Sequence, residues 1–203
     1  MIKNIIFDLG GVLVHWDPLN LYRKILKKEK KAVEFLETVC TYEWNLEQDR
    51  GRSIAEANRL KINEFPNYAS EIRAYYDRWE EMFDGSIRAN VQVMQHYLAN
   101  DKYRVFALTN WSRETFPIAL KLFPFFGDFD GAVVSGEEGV IKPDPAIYQL
   151  LLNRYSLKPE ESVFIDDRIE NIEAAKALNF HGIHYTPAME SLAEELERIT
   201  SQK

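Results

Sequence analysis

At 203 residues, with 46% hydrophobic and 28% charged side chains, the chain has the composition of a globular protein with room for one good core, or a core plus a small second module. Its formal net charge of −7 argues against a nucleic-acid-binding surface, and no apolar run reaches membrane-spanning length. A single cysteine, Cys40, excludes an internal disulfide, and a first strand that starts within a few residues of Met1 leaves no room for a signal peptide. The expected location is the cytoplasm.

Ile5-Ile6-Phe7 is an apolar run of the kind that fills a strand buried on both faces, and it runs into Asp8 and then Gly10-Gly11. A carboxylate at the end of a buried strand is costly unless something pairs with it, and adjacent glycines let a ligand approach the backbone closely. The plainer alternative is a strand ending in a glycine-rich turn. Asp17-Pro18 then reads as a helix N-cap followed by proline at the first helical position. From there to about residue 85 the pattern is helical, with no convincing strand. Leu19, Tyr22 and Leu26 recur at helical spacing, as do Val33, Leu36, Val39 and Cys40. Ser53-Ile54-Ala55-Glu56 is a capping box for a helix that ends before Pro66. Ile72, Tyr75, Tyr76, Trp79, Met82 and Phe83 form an apolar stripe ended by Asp84-Gly85. The expectation is a four-helix module, residues 16–85, inserted directly after the first strand.

After Ser86 the pattern changes. A helix over about 87–99 leads to the buried-strand run Tyr103-Arg104-Val105-Phe106-Ala107-Leu108, which stops at Thr109-Asn110. Ser112 is placed to cap a helix that closes near Phe123. A strand at Ala132-Val133-Val134 precedes a loop over 135–143, and Asp144-Pro145 repeats the cap-plus-proline device. Ser162-Val163-Phe164-Ile165 runs into Asp166-Asp167, and a helix, a short strand over 182–185 and an amphipathic helix follow. Strands alternating with helices predict an α/β fold, a doubly wound, Rossmann-like parallel sheet built from residues 1–15 and 86–203.

Three buried strands thus end in polar groups: Asp8, Thr109-Asn110 and Asp166-Asp167. In open α/β sheets that edge is where ligands bind. Converging carboxylates repel one another, and a hard divalent cation, usually Mg²⁺, relieves the repulsion. Lys142, between the apolar pair Val140-Ile141 and Pro143, is placed to project a fixed positive charge. Carboxylates, a metal, a hydroxyl, amide donors and one lysine make a site for phosphoryl transfer, where catalysis is largely positioning and charge neutralisation. Each member has an ordinary reading too. Asp166-Asp167 can cap a helix, Thr and Asn commonly begin loops, and most lysines are solvated surface charges. The combined order is far more specific than any one of them.

That combination resembles the haloacid dehalogenase (HAD) superfamily of hydrolases over nearly the whole chain. Phe7-Asp8-Leu9-Gly10-Gly11-Val12-Leu13 is similar to the first motif, Leu108-Thr109-Asn110 to the second, Lys142-Pro143 to the third and Ile165-Asp166-Asp167 to the fourth. The helical insertion resembles the cap of subfamily I. The Asp-Leu-Gly of the first motif and the segment Gln48-Asp49-Arg50-Gly51 look most like the glucose-1-phosphate phosphatase-like branch. The resemblance implies a phosphatase in which Asp8 is the nucleophile and forms an aspartyl-phosphate that water hydrolyses. It implies that Thr109, the Asn110 amide and Lys142 hold the phosphoryl oxygens. Mg²⁺ would sit on the Asp8 carboxylate, the Gly10 carbonyl and Asp166, with Asp167 acting through water.

One position departs from the pattern. Most phosphatases of this superfamily carry a second aspartate two residues after the nucleophile as general acid and base, and here that residue is Gly10. General acid–base catalysis is typically worth ~10² to 10⁴ in rate, so the substrate should have a labile leaving group, such as an anomeric sugar phosphate, or another residue should substitute. His15 is the nearest other proton donor. Substrate choice is expected from the cap, with Trp16, Trp44 and Arg50 as candidates, although core packing is the plainer role for each tryptophan. The expected partner is a small phosphorylated metabolite, a sugar phosphate for preference, with neither nucleic acid nor membrane. The competing readings are a 2-haloacid dehalogenase, which needs no metal, and a catalytically weak phosphate-binding protein.

Overall fold

A computed structural model describes residues 1–201. Five parallel strands form the central sheet: β1 (Asn4–Phe7), β4 (Arg104–Thr109), β5 (Gly131–Val134), β6 (Ser162–Asp166) and β7 (His181–His184). Two further strands, β2 (Val14–Trp16) and β3 (Phe83–Ser86), make a separate antiparallel ribbon. The sheet order is β5-β4-β1-β6-β7, so the chain turns back on itself across β1. That reversal places a crevice outside the carboxyl ends of the strands around β1.

Period-two alternation sorts the strand side chains between two cores. Ile5, Phe7, Val105, Ala107, Val163 and Ile165 belong to the larger cluster, which includes the helices Arg88–Leu98 and Leu192–Thr200. Ile6, Phe106, Leu108 and Phe164 face the opposite way and pack on the helices Pro145–Tyr155 and Ile169–Ala177. All four residues of β1 are buried, Ile5-Ile6-Phe7 as an apolar run and Asn4 with its Nδ2 donating to Ser162 Oγ at 3.1 Å. Phe7 is in register with Ala107 on one side and Ile165 on the other, and the Asp8 amide donates to the Ile165 carbonyl at 2.8 Å. Asp8 therefore ends its strand level with the end of β6.

The insertion between β2 and β3 holds five α-helices rather than the four expected: Leu19–Leu26, Glu29–Thr38, Tyr42–Asp49, Ile54–Glu64 and Ala69–Asp77. The additional helix, Tyr42–Asp49, is buried through Trp44, Asn45, Gln48 and Asp49, so it lacks the apolar stripe that marks an amphipathic helix. The stripe over 72–83 also departs from expectation. The helix stops at Asp77, Trp79–Met82 form a 3₁₀ turn, and Phe83–Ser86 is extended. Val14 pairs with Ser86 and Trp16 with Phe83, so the chain leaves the sheet and returns to it along one ribbon. Gly85, at φ +80°, supplies the backbone irregularity there.

The local capping chemistry is as the sequence predicts. Asp17 Oδ1 accepts from the Leu19 amide at 2.9 Å, Ser53 Oγ from the Glu56 amide at 3.2 Å and Asp144 Oδ1 from the Ala146 amide at 2.9 Å. Ser112 caps a turn instead of a helix, because its helix begins only at Phe116. Part of the expected loop over 135–143 is a short helical turn, Ser135–Glu138. No helix among the described residues is long and apolar enough to cross a membrane.

Candidate active site

Lys142 is the electrostatic centre of the crevice. Its Nζ lies 2.7 Å from Asp166 Oδ2 and 3.0 Å from Asp8 Oδ1, and it donates to the Leu108 carbonyl at 2.9 Å. Only 1% of its side chain is exposed. Burial lowers the pKa of this ammonium, but Asp166 and Asp8 more than offset that, and the net direction is up. The loop carrying it is clamped by Asn110, whose Nδ2 donates to the Lys142 carbonyl at 3.0 Å while its Oδ1 accepts the Lys142 amide at 2.8 Å. The peptide bond from Lys142 to Pro143 is cis.

Asp166 is fully buried and heavily partnered. Besides Lys142 it accepts from the Arg168 amide at 2.8 Å and from Asn171 Nδ2, which lies 3.0 and 3.1 Å from its two oxygens. Asp8 Oδ1 also accepts from the Leu9 amide at 2.7 Å. Burial, which outweighs the attraction of Lys142, pushes the Asp8 carboxyl up to about 7, and Asp166 and Asp167 add repulsion. Asp167 is raised for the same two reasons.

Asp8, Asp166 and Asp167 each present a carboxylate oxygen within 4.8 Å of the others. Three carboxylates against one ammonium leave an excess of negative charge in a buried setting, and all the donors are hard oxygens. That donor set fits a Mg²⁺-sized cation. Gly11 is the backbone counterpart of the cluster. It sits at φ +73°, and a Cβ there would lie 2.3 Å from Asp167 Oδ2.

Above these residues a cavity of about 310 Å³ opens between the sheet edge and the insertion. The sheet side contributes Asp8, Gly10, Thr109, Asn110, Lys142 and Asp167, and the insertion side Trp16, Tyr42, Asn45, Asp49, Tyr76 and Trp79. Trp111 and Ser112 close one end. The indole N–H groups of Trp16 and Trp111 are buried and have no hydrogen-bond partner among the described residues.

The residues singled out from the strand ends are therefore brought together. Of Trp16, Trp44 and Arg50, the candidates for substrate choice, and His15, the other proton donor considered, only Trp16 lines the cavity. Trp44 is buried against Tyr75 and Tyr76, with ring centroids 5.1 and 5.6 Å away. Arg50 is about half exposed beside Glu47, and His15 is exposed; neither is in the cavity wall. Gly10 is in the wall, and a Cβ built there meets nothing within 4 Å.

Two further residues of the site escape a reading of strand ends. Asn171 is one; its signal is a polar side chain on the buried face of a helix beside Ile172 and Ala175. Asp49 is the other. Its signal is the polar set Asn45, Gln48 and Asp49 at helical spacing, where a core-facing helix would carry apolar groups.

Among curated proteins the chain is 27% identical over 195 residues to the sesquiterpene phosphatase astK of Aspergillus oryzae, covering 95% of this chain and 94% of that one. It is 25% identical over 194 residues to the D-ribitol-5-phosphate phosphatase of Bacteroides thetaiotaomicron, covering 89% and 90%. Among solved structures, a HAD family enzyme from B. thetaiotaomicron in complex with magnesium and inorganic phosphate superposes with a TM-score of 0.73 at 24% identity, over 94% of this chain and 97% of that one. The sequence profile of the haloacid dehalogenase-like hydrolases matches residues 2–179, from ahead of β1 to the end of the helix that carries Asn171, and the chain belongs to that family.

Proposed function

We propose that this protein is a Mg²⁺-dependent phosphatase that hydrolyses a small phosphorylated metabolite, a sugar phosphate for preference, through an aspartyl-phosphate on Asp8. One observation carries the reading: Asp8 and Asp166 flank a buried Lys142, and Asp167 joins them in one carboxylate cluster beside the cavity. Asp8 Oδ1 is held by Leu9 and Lys142, so its other oxygen is the one to attack phosphorus. The P–O bond to the leaving group breaks, and water then attacks the phosphorus of the Asp8 ester and regenerates the carboxylate. Thr109, the backbone amide of Asn110 and the charge of Lys142 hold the phosphoryl oxygens. Asp8, Asp166 and the Gly10 carbonyl, with Asp167 through water, would hold Mg²⁺, which when bound neutralises the carboxylates and admits the phosphate dianion.

Residues 16–85 act as the cap and supply the substrate-facing wall. The rings of Trp16, Tyr42, Tyr76 and Trp79, with the unpartnered indole N–H of Trp16, suit a sugar, which offers both C–H faces and hydroxyls. The same aromatic wall also suits an apolar leaving group, and the sesquiterpene phosphatase similar to this chain acts, by its name, on such a compound. A panel of sugar phosphates and isoprenoid monophosphates separates the two. Against a 2-haloacid dehalogenase stands the Asp166-Asp167 pair, since that chemistry gains nothing from a metal-binding pair.

The first test is release of phosphate from p-nitrophenyl phosphate. Wild type should turn over with Mg²⁺ and stop when the metal is chelated. Asp8→Asn should lose ~10³-fold or more in kcat. A wild-type protein without turnover on any phosphate ester, or an Asp8→Asn protein with undiminished activity, would refute the reading.

A further inference from the structure

The wall of the cavity contains an acid that neither the metal cluster nor the phosphate contacts use. Asp49 ends the helix Tyr42–Asp49, is 8% exposed and faces the same space as Asp8 and Gly10. It is held from two directions. Its backbone carbonyl accepts from Ser135 Oγ at 2.6 Å, and Ser135 Oγ in turn accepts from the Trp111 amide at 2.9 Å. Its side chain accepts from Asn45 Nδ2 at 3.0 Å, and Asn45 Oδ1 accepts from the Tyr76 hydroxyl at 2.9 Å. Gln48 Nε2 donates to the same hydroxyl at 2.8 Å and is itself fixed by Arg52. A chain of buried hydrogen bonds thus fixes a carboxyl group in the wall that Asp8 and Gly10 also line, and a Cβ at position 10 would meet nothing within 4 Å.

We propose that Asp49 is the proton donor to the leaving-group oxygen and the base for the hydrolytic water, the part that a glycine at position 10 cannot play. The proposal rests on the phosphatase reading above. In the first step Asp8 forms a bond to phosphorus, the P–O bond to the leaving group breaks, and the departing oxygen takes the Asp49 proton and leaves as a neutral alcohol. In the second, water attacks phosphorus, the bond to Asp8 breaks, and Asp49 takes the proton lost by the water. Inorganic phosphate departs and both aspartates return to their starting forms.

The environment suits an acid that must be protonated near neutrality. Burial pushes the Asp49 carboxyl up to about 7, against the pull of the Ser112 amide and of Lys142. The titratable groups that face it from the packed elements are Lys142 on the sheet side and the phenols of Tyr42, Tyr75 and Tyr76 in the insertion. With the phenols neutral, Lys142 is the charge that bears on it.

The test compares two esters through kcat/KM, which covers only the steps up to transfer onto Asp8. p-Nitrophenolate departs without a proton, whereas an alditol alkoxide does not. Asp49→Asn keeps the size of the side chain and an acceptor for Asn45. It should lose ~10² to 10⁴-fold on an alditol phosphate and less than ~10-fold on p-nitrophenyl phosphate, with no fall in melting temperature. The fall in the alditol-phosphate rate above about pH 7 should vanish with it. Asp49→Glu, which keeps an ionisable group, should retain more alditol-phosphate activity than Asp49→Asn. Equal losses on the two esters, or a better rate with Asn than with Glu, overturn the assignment while leaving the phosphatase reading intact. A wild-type protein inactive on both esters overturns both.

Discussion

Gly10 and Gly11 are neighbours with opposite constraints. Gly11 has φ +73° and the Asp167 carboxylate against it, so Gly11→Ala meets both left-handed strain and a direct clash. Its cost should be ~1–2 kcal/mol from the backbone, plus displacement of Asp167, and Mg²⁺ activation should weaken with it. Gly10 is free of both constraints, since its φ is not positive and a Cβ there meets nothing within 4 Å. Gly10→Ala should therefore leave stability unchanged or raise it by up to ~1 kcal/mol, because alanine narrows the unfolded ensemble. Urea midpoints of the two variants decide this, and a Gly10→Ala as damaging as Gly11→Ala would show that the first-strand loop is misread. The contrast also says something about position 10. Glycine is present there without steric need, so its effect lies in the side chain that is missing.

At the scale of elements, the insertion is joined to the sheet edge where the helix Tyr42–Asp49 meets the turn Ser135–Glu138. Ser135 bridges two backbone groups, giving to the Asp49 carbonyl and receiving from the Trp111 amide. Ser135→Ala leaves both buried and unpartnered, a loss of ~2 kcal/mol or more at ~1–3 kcal/mol for each group. Thermal unfolding measures this, and a loss below ~0.5 kcal/mol would show that the joint is not rigid. This joint was not legible in the sequence, because its partners lie 86 and 24 residues from Ser135, which belongs to no motif. What was legible had strong local signals. β1, β4 and β6 each hold an apolar run that leads into a polar residue of the site, Asp8, Thr109 and Asp166. Tyr42–Asp49 has no such signal, since three of its four buried residues, Asn45, Gln48 and Asp49, are polar. The β2–β3 ribbon was hidden by brevity and by Asp84-Gly85, which read as a helix stop but lie within a strand.

At the scale of the whole molecule, the buried acids link folding to protons and to metal. Asp8 and Asp49 are both pushed up to about 7, from an ordinary value of 3.8, chiefly by burial. Between those values the folded protein binds more protons than the unfolded chain, so stability falls as pH rises from about 4 to 7. Opposing shifts sit on surface carboxylates such as Glu81, held near 2 by Arg78 and Lys24; they act at lower pH and in solvent, where ion pairs contribute little. The metal-free protein should therefore melt several degrees higher at pH 5 than at pH 7.5, at ~2–4 °C for each kcal/mol in a chain of this size. Mg²⁺ should narrow that gap. Bound at 100 times its dissociation constant it adds ~2.7 kcal/mol, and it binds to ionised carboxylates, so its effect belongs at pH 7.5 and should shrink at pH 5. Melting curves at both pH values, with Mg²⁺ and with a chelator, read the four corners of this cycle. A Mg²⁺ shift larger at pH 5 would mean that Asp8, Asp166 and Asp167 do not form the cation site, and a metal-free protein more stable at pH 7.5 would mean that burial does not raise Asp8 and Asp49.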